Sequence, residues 1–396
     1  MSYLANRIQN FGVTIFAEMT ALAVQHQAIN LGQGFPDFAA PDFLKEAARE
    51  AIAADVNQYA PSYGRASLKQ AIAAKMKRHY GLDADPDHEI LVTHGATEAL
   101  CAAILGLVNP GDEVILFEPF YDSYVPDVLM AGGTPRFYTL RQPDWRIDRE
   151  ELAALFTPKT KLIVVNTPHN PTGKVFSRDE LDIIADLCQE HDVLALADEV
   201  YEHIVFDGRR HHLLAQLPGM DGRTLTISSL GKTFSVTGWK IGWAIAHPDL
   251  LRAAFRTHQF MTFCGAAPLQ EAAAIALAAG ADFYTQLAQD YQSKRDFLMQ
   301  VLAAAGLPPI PPAGTYFVMV DIGGLGFADD AAFCRYLTTE VGVAAIPSSA
   351  FYHNPADRAR LARFAFCKSQ STLEEAARRL QQWWGEQPAT FIRGER

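Results

Sequence analysis

No stretch of the chain stays apolar for the roughly 20 residues that a membrane-spanning helix needs. The opening MSYLANRIQNFG also lacks the apolar core of a secretory signal. Positive charge is scarce: 34 Lys and Arg stand against 45 Asp and Glu, for a net charge of -11. A nucleic-acid partner needs a basic face, and an anionic membrane surface repels an acidic protein, so neither is an expected partner. Cysteine is sparse as well. Cys101, Cys188, Cys264, Cys334 and Cys367 are odd in number, widely spread and without a C-x-x-C pair, which argues against a disulfide framework or a zinc site. Buried free thiols in a reducing compartment such as a cytoplasm fit best. His211 and His212 are adjacent on a short polar turn, where exposure is the expectation, and no partners stand at zinc spacing. No metal is expected. A nucleotide phosphate loop of the form G-x-x-x-x-G-K-[ST] is missing, and LGQGFPDF has G-x-G without the third glycine or a following helix.

What the chain does have is length and alternation. Its 396 residues, 49% of them apolar, are too many for one simple core. Between residues 46 and 280, short apolar runs alternate with helical stretches: EILVT (89–93), EVILF (113–117), TPRFYTL (134–140), KLIVVN (161–166), VLALAD (193–198), TLTIS (224–228) and IGWAIA (241–246). Several are apolar at consecutive positions, as in strands covered on both faces. SRDELDIIADLCQEHD begins with Ser177 and Glu180 spaced as a capping box. The pattern predicts an α/β fold with a large domain on a mostly parallel seven-stranded sheet flanked by helices. After residue 280 a long helix, the proline-rich LPPIPPAG (a stiff lead-in), TYFVMVDI, LARFAF and a final helix fit a smaller α/β domain.

Four segments at strand ends carry the chemistry. In SSLGKTFSVTGWKIGW, Lys232 follows a buried strand, and a desolvated lysine loses its proton readily and can attack an aldehyde. Ser229 and Gly231 are small enough to let a flat ring and a phosphate approach. Asp198 ends VLALAD, where a carboxylate needs a compensating partner; a pyridinium nitrogen is one, and a helix cap is an equally good reading. NTPHNPTG places Asn170, an amide donor, in a fixed turn, with His169 expected to face outward. GATEAL opens a helix whose amides, with the Thr97 hydroxyl, suit a phosphate.

The chain resembles the class I pyridoxal-phosphate-dependent aminotransferases, and within them the kynurenine, glutamine and methionine aminotransferase group. The matching segments are NLGQGFPDF, NQYAPSYG, FEPFYDSY, NTPHNPTGKVFSRDEL, DEVYEHIVFDG, SSLGKTFSVTGWKIGW, THQFMTF, GTYFVMVDI and RFAFCK. The resemblance implies an aspartate-aminotransferase-like fold with an N-terminal arm at 1–28, a large domain at 46–282 and a small domain from 29–45 and 283–396. It implies pyridoxal 5'-phosphate as cofactor. Lys232 would hold it covalently and move the substrate proton, Asp198 would pair with the ring nitrogen, and Tyr201 and Asn170 would bond the ring's phenolic oxygen. Tyr121 would stack on the ring, where many members carry Phe. Ala96, Thr97, Ser229 and Lys240 would hold the phosphate, with Tyr59 reaching in from the second subunit of a homodimer. Lys240 departs from the Arg found in many relatives and grips as a point charge. Arg363 would clamp the substrate carboxylate, assisted by Gly34 and Asn170. Phe16, Phe35, Tyr59, Tyr121 and the partner's Phe263 would line a pocket for bulky neutral side chains (methionine, glutamine, aromatic, kynurenine). The implied reaction is ping-pong transfer of an amino group from an amino acid to a 2-oxo acid. The same cofactor also permits β-elimination from cysteine conjugates, and the fold also occurs as a non-catalytic sensing domain. Arg65 is a conceivable cation for a distal carboxylate, although nothing in the sequence places it there.

Overall fold

Each of the seven apolar runs becomes a strand, and all seven join one sheet. The computed structural model describes residues 3–354 and 360–386. The strands are β1 (Ile90–His94), β2 (Glu113–Glu118), β3 (Thr134–Thr139), β4 (Thr160–Asn166), β5 (Leu194–Asp198), β6 (Thr224–Ser229) and β7 (Ile241–Ile245). Their order is β1-β7-β6-β5-β4-β2-β3. Only β7 pairs antiparallel, with β1 on one side and β6 on the other. The reason is local: a single helical turn, Leu230–Thr233, and a short Thr237–Trp239 turn link β6 to β7. A connection that short turns the chain back, whereas a parallel neighbour needs a crossover of a dozen or more residues.

Consecutive apolar residues along the central strands feed two different layers. Ile115, Ile163, Val165, Ala195 and Ala197 pack with Leu181, Ile184 and Ala185 of the helix Arg178–Glu190. Val114, Leu116, Leu162, Val164 and Leu196 pack on the other face with Ala99, Leu100 and Ile104 of the helix Gly95–Leu107. Burial of each such Val, Leu or Ile contributes roughly 1.5–3 kcal/mol, which makes this two-faced register strongly preferred. The expected capping box is present: the Ser177 hydroxyl accepts from the Glu180 amide while the Glu180 carboxylate accepts from the Ser177 amide.

The C-terminal part forms a second, antiparallel sheet: β8 (Pro309–Ile310), β9 (Phe317–Asp321), β10 (Ile346–Pro347) and β11 (Leu361–Ala365), ordered β10-β11-β9-β8. The helices Ala281–Ala304 and Gln370–Gly385 cover it through Leu298, Leu302, Leu373 and Leu380 against Val318, Val320 and Phe364. The proline-rich segment therefore does more than lead in; it supplies the edge strand, the position a proline tolerates. Residues 29–30 pair in parallel with 343–344 as a separate two-stranded sheet, tying an early segment to the C-terminal part. Among the described residues no helix is long and apolar enough to cross a membrane.

Candidate active site

The parallel strands end side by side, and the chain leaves their carboxyl ends into one cleft, the place where open α/β sheets hold ligands. There β1 runs directly into the helix Gly95–Leu107, β4 into the turn with Asn170, β5 ends at Asp198, and β6 passes Ser229 into Lys232. Ala96, Thr97, Tyr121, Asn170, Asp198, Tyr201, Ser229, Lys232 and Lys240 all line a single cavity of about 170 Å³.

One end of the cavity suits a phosphate. Lys240 Nζ donates to Thr97 Oγ1 at 3.2 Å beside the first turn of the helix Gly95–Leu107. Lys240 holds a left-handed backbone, φ 53° and ψ 47°, a conformation that costs a non-glycine residue energy and is concentrated at functional sites. The approach is possible because Gly242 lacks a side chain: a Cβ there would lie 2.4 Å from the Gly95 carbonyl carbon. Helix-terminal amides, a hydroxyl and an ammonium make an anion site.

At the other end Asp198 is buried, and burial pushes its carboxyl up to about 6, against a stabilising hydrogen bond from Tyr124. The Tyr124 hydroxyl donates to Asp198 Oδ2 at 2.6 Å. Asn166 braces the same corner, donating to the Asp198 carbonyl at 2.9 Å and accepting from the Asn170 amide at 2.7 Å. Lys232 lies above the Tyr201 ring, Nζ 5.6 Å from its centroid, and burial pushes its ammonium down to about 8. Cys367 and Asp198 oppose that fall, while Lys240 and Arg363 add to it.

Arg363 stands on β11 and is 1% exposed. Its Nη1 donates to Asn170 Oδ1 at 2.8 Å and its Nη2 to the Gly32 carbonyl at 2.9 Å. Nε is buried without a partner among the described residues. Phe317, Phe16 and Phe351 surround the guanidinium at 4.0, 5.0 and 5.1 Å from their ring centroids. Burial lowers it to about 10, which still leaves it charged at neutral pH. Gly34 sits against Phe317, and its carbonyl accepts from the Tyr316 hydroxyl at 2.6 Å.

Three expected residues stand apart, Phe35 among them: it is 46% exposed and does not line the cavity. Tyr59 and Phe263 pack on each other at 5.4 Å between centroids, but they are 84% and 48% exposed and do not line this chain's own cavity. Two histidines differ from expectation. His169 is buried rather than outward-facing; Nδ1 lies 2.8 Å from Thr172 Oγ1, and burial, helped by Lys174, pushes it down to about 3. The His211 side chain is buried too, with Nε2 3.1 Å from Glu199 Oε2. In both cases the polar turn folds back onto a buried partner that spacing alone does not reveal. Arg65 is held in an ion pair with Glu271, which also accepts from Ser67. The sequence pattern does not single out Tyr124, Asn166 or Tyr316, although all three fall inside the quoted FEPFYDSY, NTPHNPTG and GTYFVMVDI segments.

A half-buried lysine of lowered basicity, a buried carboxylate and an anion cradle, spanned by one cavity, define the class of a pyridoxal-phosphate enzyme. The model of the aminotransferase class I and II family matches residues 26–380, and the chain belongs to that family. It is 44% identical to a kynurenine–oxoglutarate transaminase of Dictyostelium discoideum, with 94% of each chain covered. It is 46% identical to a probable N-succinyldiaminopimelate aminotransferase of Mycobacterium tuberculosis, over 97% of this chain and 99% of that one. Its fold superposes on the solved methionine aminotransferase of Escherichia coli with a TM-score of 0.93 and 43% identity, covering 96% of this chain and all of that one. The protein is an aminotransferase of aspartate-aminotransferase-like fold, and its cofactor is pyridoxal 5'-phosphate. The residues fit that group: the anion cradle would take the phosphate, the buried Asp198 would take a cationic ring nitrogen, and the lowered basicity of Lys232 would let its neutral amine react with an aldehyde.

Proposed function

We propose that the enzyme moves the amino group of a bulky uncharged amino acid to a 2-oxo acid by a ping-pong cycle. The observation that carries this choice is the pairing of Arg65 with Glu271. Arg65, the conceivable cation for a distal carboxylate, is instead engaged by the Glu271 carboxylate. Among the described residues, Lys232 and Lys240 are the only cations lining the cavity, with Arg363 just beyond.

Bound pyridoxal phosphate supplies an electron sink for the charge left when the substrate Cα loses its proton. Around it, Lys232 carries that proton from Cα and returns it, as a neutral amine of lowered basicity can. Arg363 grips the substrate carboxylate, its unpartnered Nε included, and so fixes the direction of the Cα–H bond. Asp198 would hold the ring nitrogen, Asn170 and Tyr201 would hold the phenolic oxygen, and Tyr121 would cover the ring. Ala96, Thr97, Ser229 and Lys240 would hold the phosphate. Tyr59 and Phe263 complete the site of a second subunit in a homodimer, which accounts for two large aromatic side chains exposed on one face.

The test is a half-reaction: the absorbance change of the holoenzyme on adding single amino acids in the absence of an oxo acid. Methionine, glutamine, phenylalanine and kynurenine should convert the cofactor faster than aspartate. A second reading, a succinylated diamino acid as donor, is favoured by the 46% identity to the Mycobacterium tuberculosis protein. Fast conversion by that compound and slow conversion by the neutral donors would replace the first reading.

A further inference from the structure

Tyr124 opens the helix Tyr124–Met130, three residues beyond Tyr121, and is 3% exposed. Its hydroxyl reaches across the floor of the cavity to Asp198 Oδ2, and at 2.6 Å this is the one short hydrogen bond that the carboxylate receives among the described residues. Among them the other oxygen accepts only the Val200 amide, at 3.4 Å. The remaining charged groups near Asp198 oppose one another: Lys232 favours its ionised form and Glu199 disfavours it, with the phenols of Tyr121 and Tyr201 beside them. A phenol this buried does not ionise, so it serves the carboxylate as a donor. A charge-assisted O–H···O⁻ bond of this length favours the ionised acceptor.

We propose that Tyr124 is a positioning residue for transamination: its hydroxyl fixes Asp198 in one rotation and in the ionised form, and thereby sets how strongly the site prefers a protonated ring nitrogen. This rests on the reading of Asp198 as the partner of that nitrogen.

The test separates the two. The affinity of apo-protein for pyridoxal phosphate is compared with that for its 1-deaza analogue, which keeps the phosphate, aldehyde and ring but has no ring nitrogen. Wild type should prefer pyridoxal phosphate, and Asp198→Ala should abolish the preference. Tyr124→Phe, which keeps the ring packed 5.7 Å from Tyr121, should reduce the preference roughly tenfold, the scale of one hydrogen bond to a charged group. Affinity for the deaza analogue and the melting temperature should stay unchanged. Substituting 3-fluorotyrosine at 124, which restores a hydroxyl in the same volume, should restore the preference. If Tyr124→Phe weakens both compounds equally, Tyr124 only fills space and the proposal fails. If wild type shows no preference at all, the reading of Asp198 fails first and takes the proposal with it.

Discussion

Arg363 Nη1 and Asn170 Oδ1 meet at 2.8 Å across 193 residues of chain, joining the second sheet to the turn after β4. The contact settles which way the Asn170 amide points. Its oxygen accepts from the guanidinium, so its NH₂ faces the other way and remains the donor. One hydrogen bond thus links the residue proposed to grip the substrate to a residue proposed to hold the cofactor ring.

Replacing Arg363 with lysine keeps the charge but removes the planar fork and the bond to Gly32. The Michaelis constant for the amino donor should rise roughly 10- to 100-fold, the scale of one or two charge-assisted bonds. Steady-state kinetics beside a cofactor titration make the check, since cofactor affinity should change far less. An unchanged Michaelis constant would remove Arg363 from the substrate site.

Lys232→Ala should lower turnover by at least about a thousandfold, because it removes both the covalent attachment point and the group that moves the proton. The variant should still bind pyridoxal phosphate through the cradle at Thr97, Ser229 and Lys240, without the absorbance band of lysine-bound cofactor. Turnover within tenfold of wild type would overturn the assignment of this lysine.

The lowered basicity of Lys232 gives a pH dependence with a definite sign. Burial brings the ammonium from 10.5 down to about 8, and only the neutral amine attacks an aldehyde. The rate at which apo-protein captures pyridoxal phosphate should therefore climb with pH up to about 8 and level off above it. In the apo-protein the same shift affects stability. Between about 8 and 10.5 the unfolded chain binds the extra proton, so stability should rise with pH across that window and lose this contribution below it. A capture rate that climbs past pH 10 would mean an unperturbed lysine. Stopped-flow absorbance across pH 6 to 11 makes the measurement.

How much of this could be read in the sequence divides along a physical line. The seven strands of the large sheet were legible because two-sided burial writes itself as consecutive apolar residues. Lys232, Asp198, Asn170 and Thr97 were legible because each follows such a run. The reverse direction of β7 was not, since only the brevity of the connection after Ser229 decides it. Nor were the tertiary partners of buried polar groups. Nothing local distinguishes the buried His169 and His211 from surface histidines, because Thr172 and Glu199 are recognised as partners only in the folded chain. Lys75 reads as one more polar residue on a helix, yet it is 1% exposed.

Lys75 pairs with the buried Glu202, which also accepts from the Tyr80 and Ser228 hydroxyls at 2.6 Å each. Burial alone would push the Glu202 carboxyl up, and Lys75 holds it well below the usual range instead. Glu202 follows Tyr201 directly, so this pair fastens the back of the segment that carries the site. Lys75→Met should destabilise the protein by about 3–5 kcal/mol by leaving a buried carboxylate unpaired. Urea unfolding gives the value, and adding Glu202→Leu should recover part of the loss. A single variant as stable as wild type would show that solvent or another cation already compensates Glu202.

The exposed pair Tyr59 and Phe263 leads to a prediction about mixtures of two impaired proteins. If Tyr59 serves the site of the second subunit, Tyr59→Phe damages a site whose lysine belongs to the other chain. Tyr59→Phe and Lys232→Ala homodimers should each be impaired, the former mainly in cofactor affinity and both at limiting cofactor. In a hybrid dimer of the two, one site combines both defects. The other receives its Lys232 from the Tyr59→Phe chain and its Tyr59 from the Lys232→Ala chain, and is therefore complete. Mixing the two proteins under conditions of subunit exchange should raise activity above the sum of the parents, and sedimentation should show a dimer throughout. Activity that merely adds would place Tyr59 in its own chain's site or outside both, and an active monomer would remove the shared site altogether.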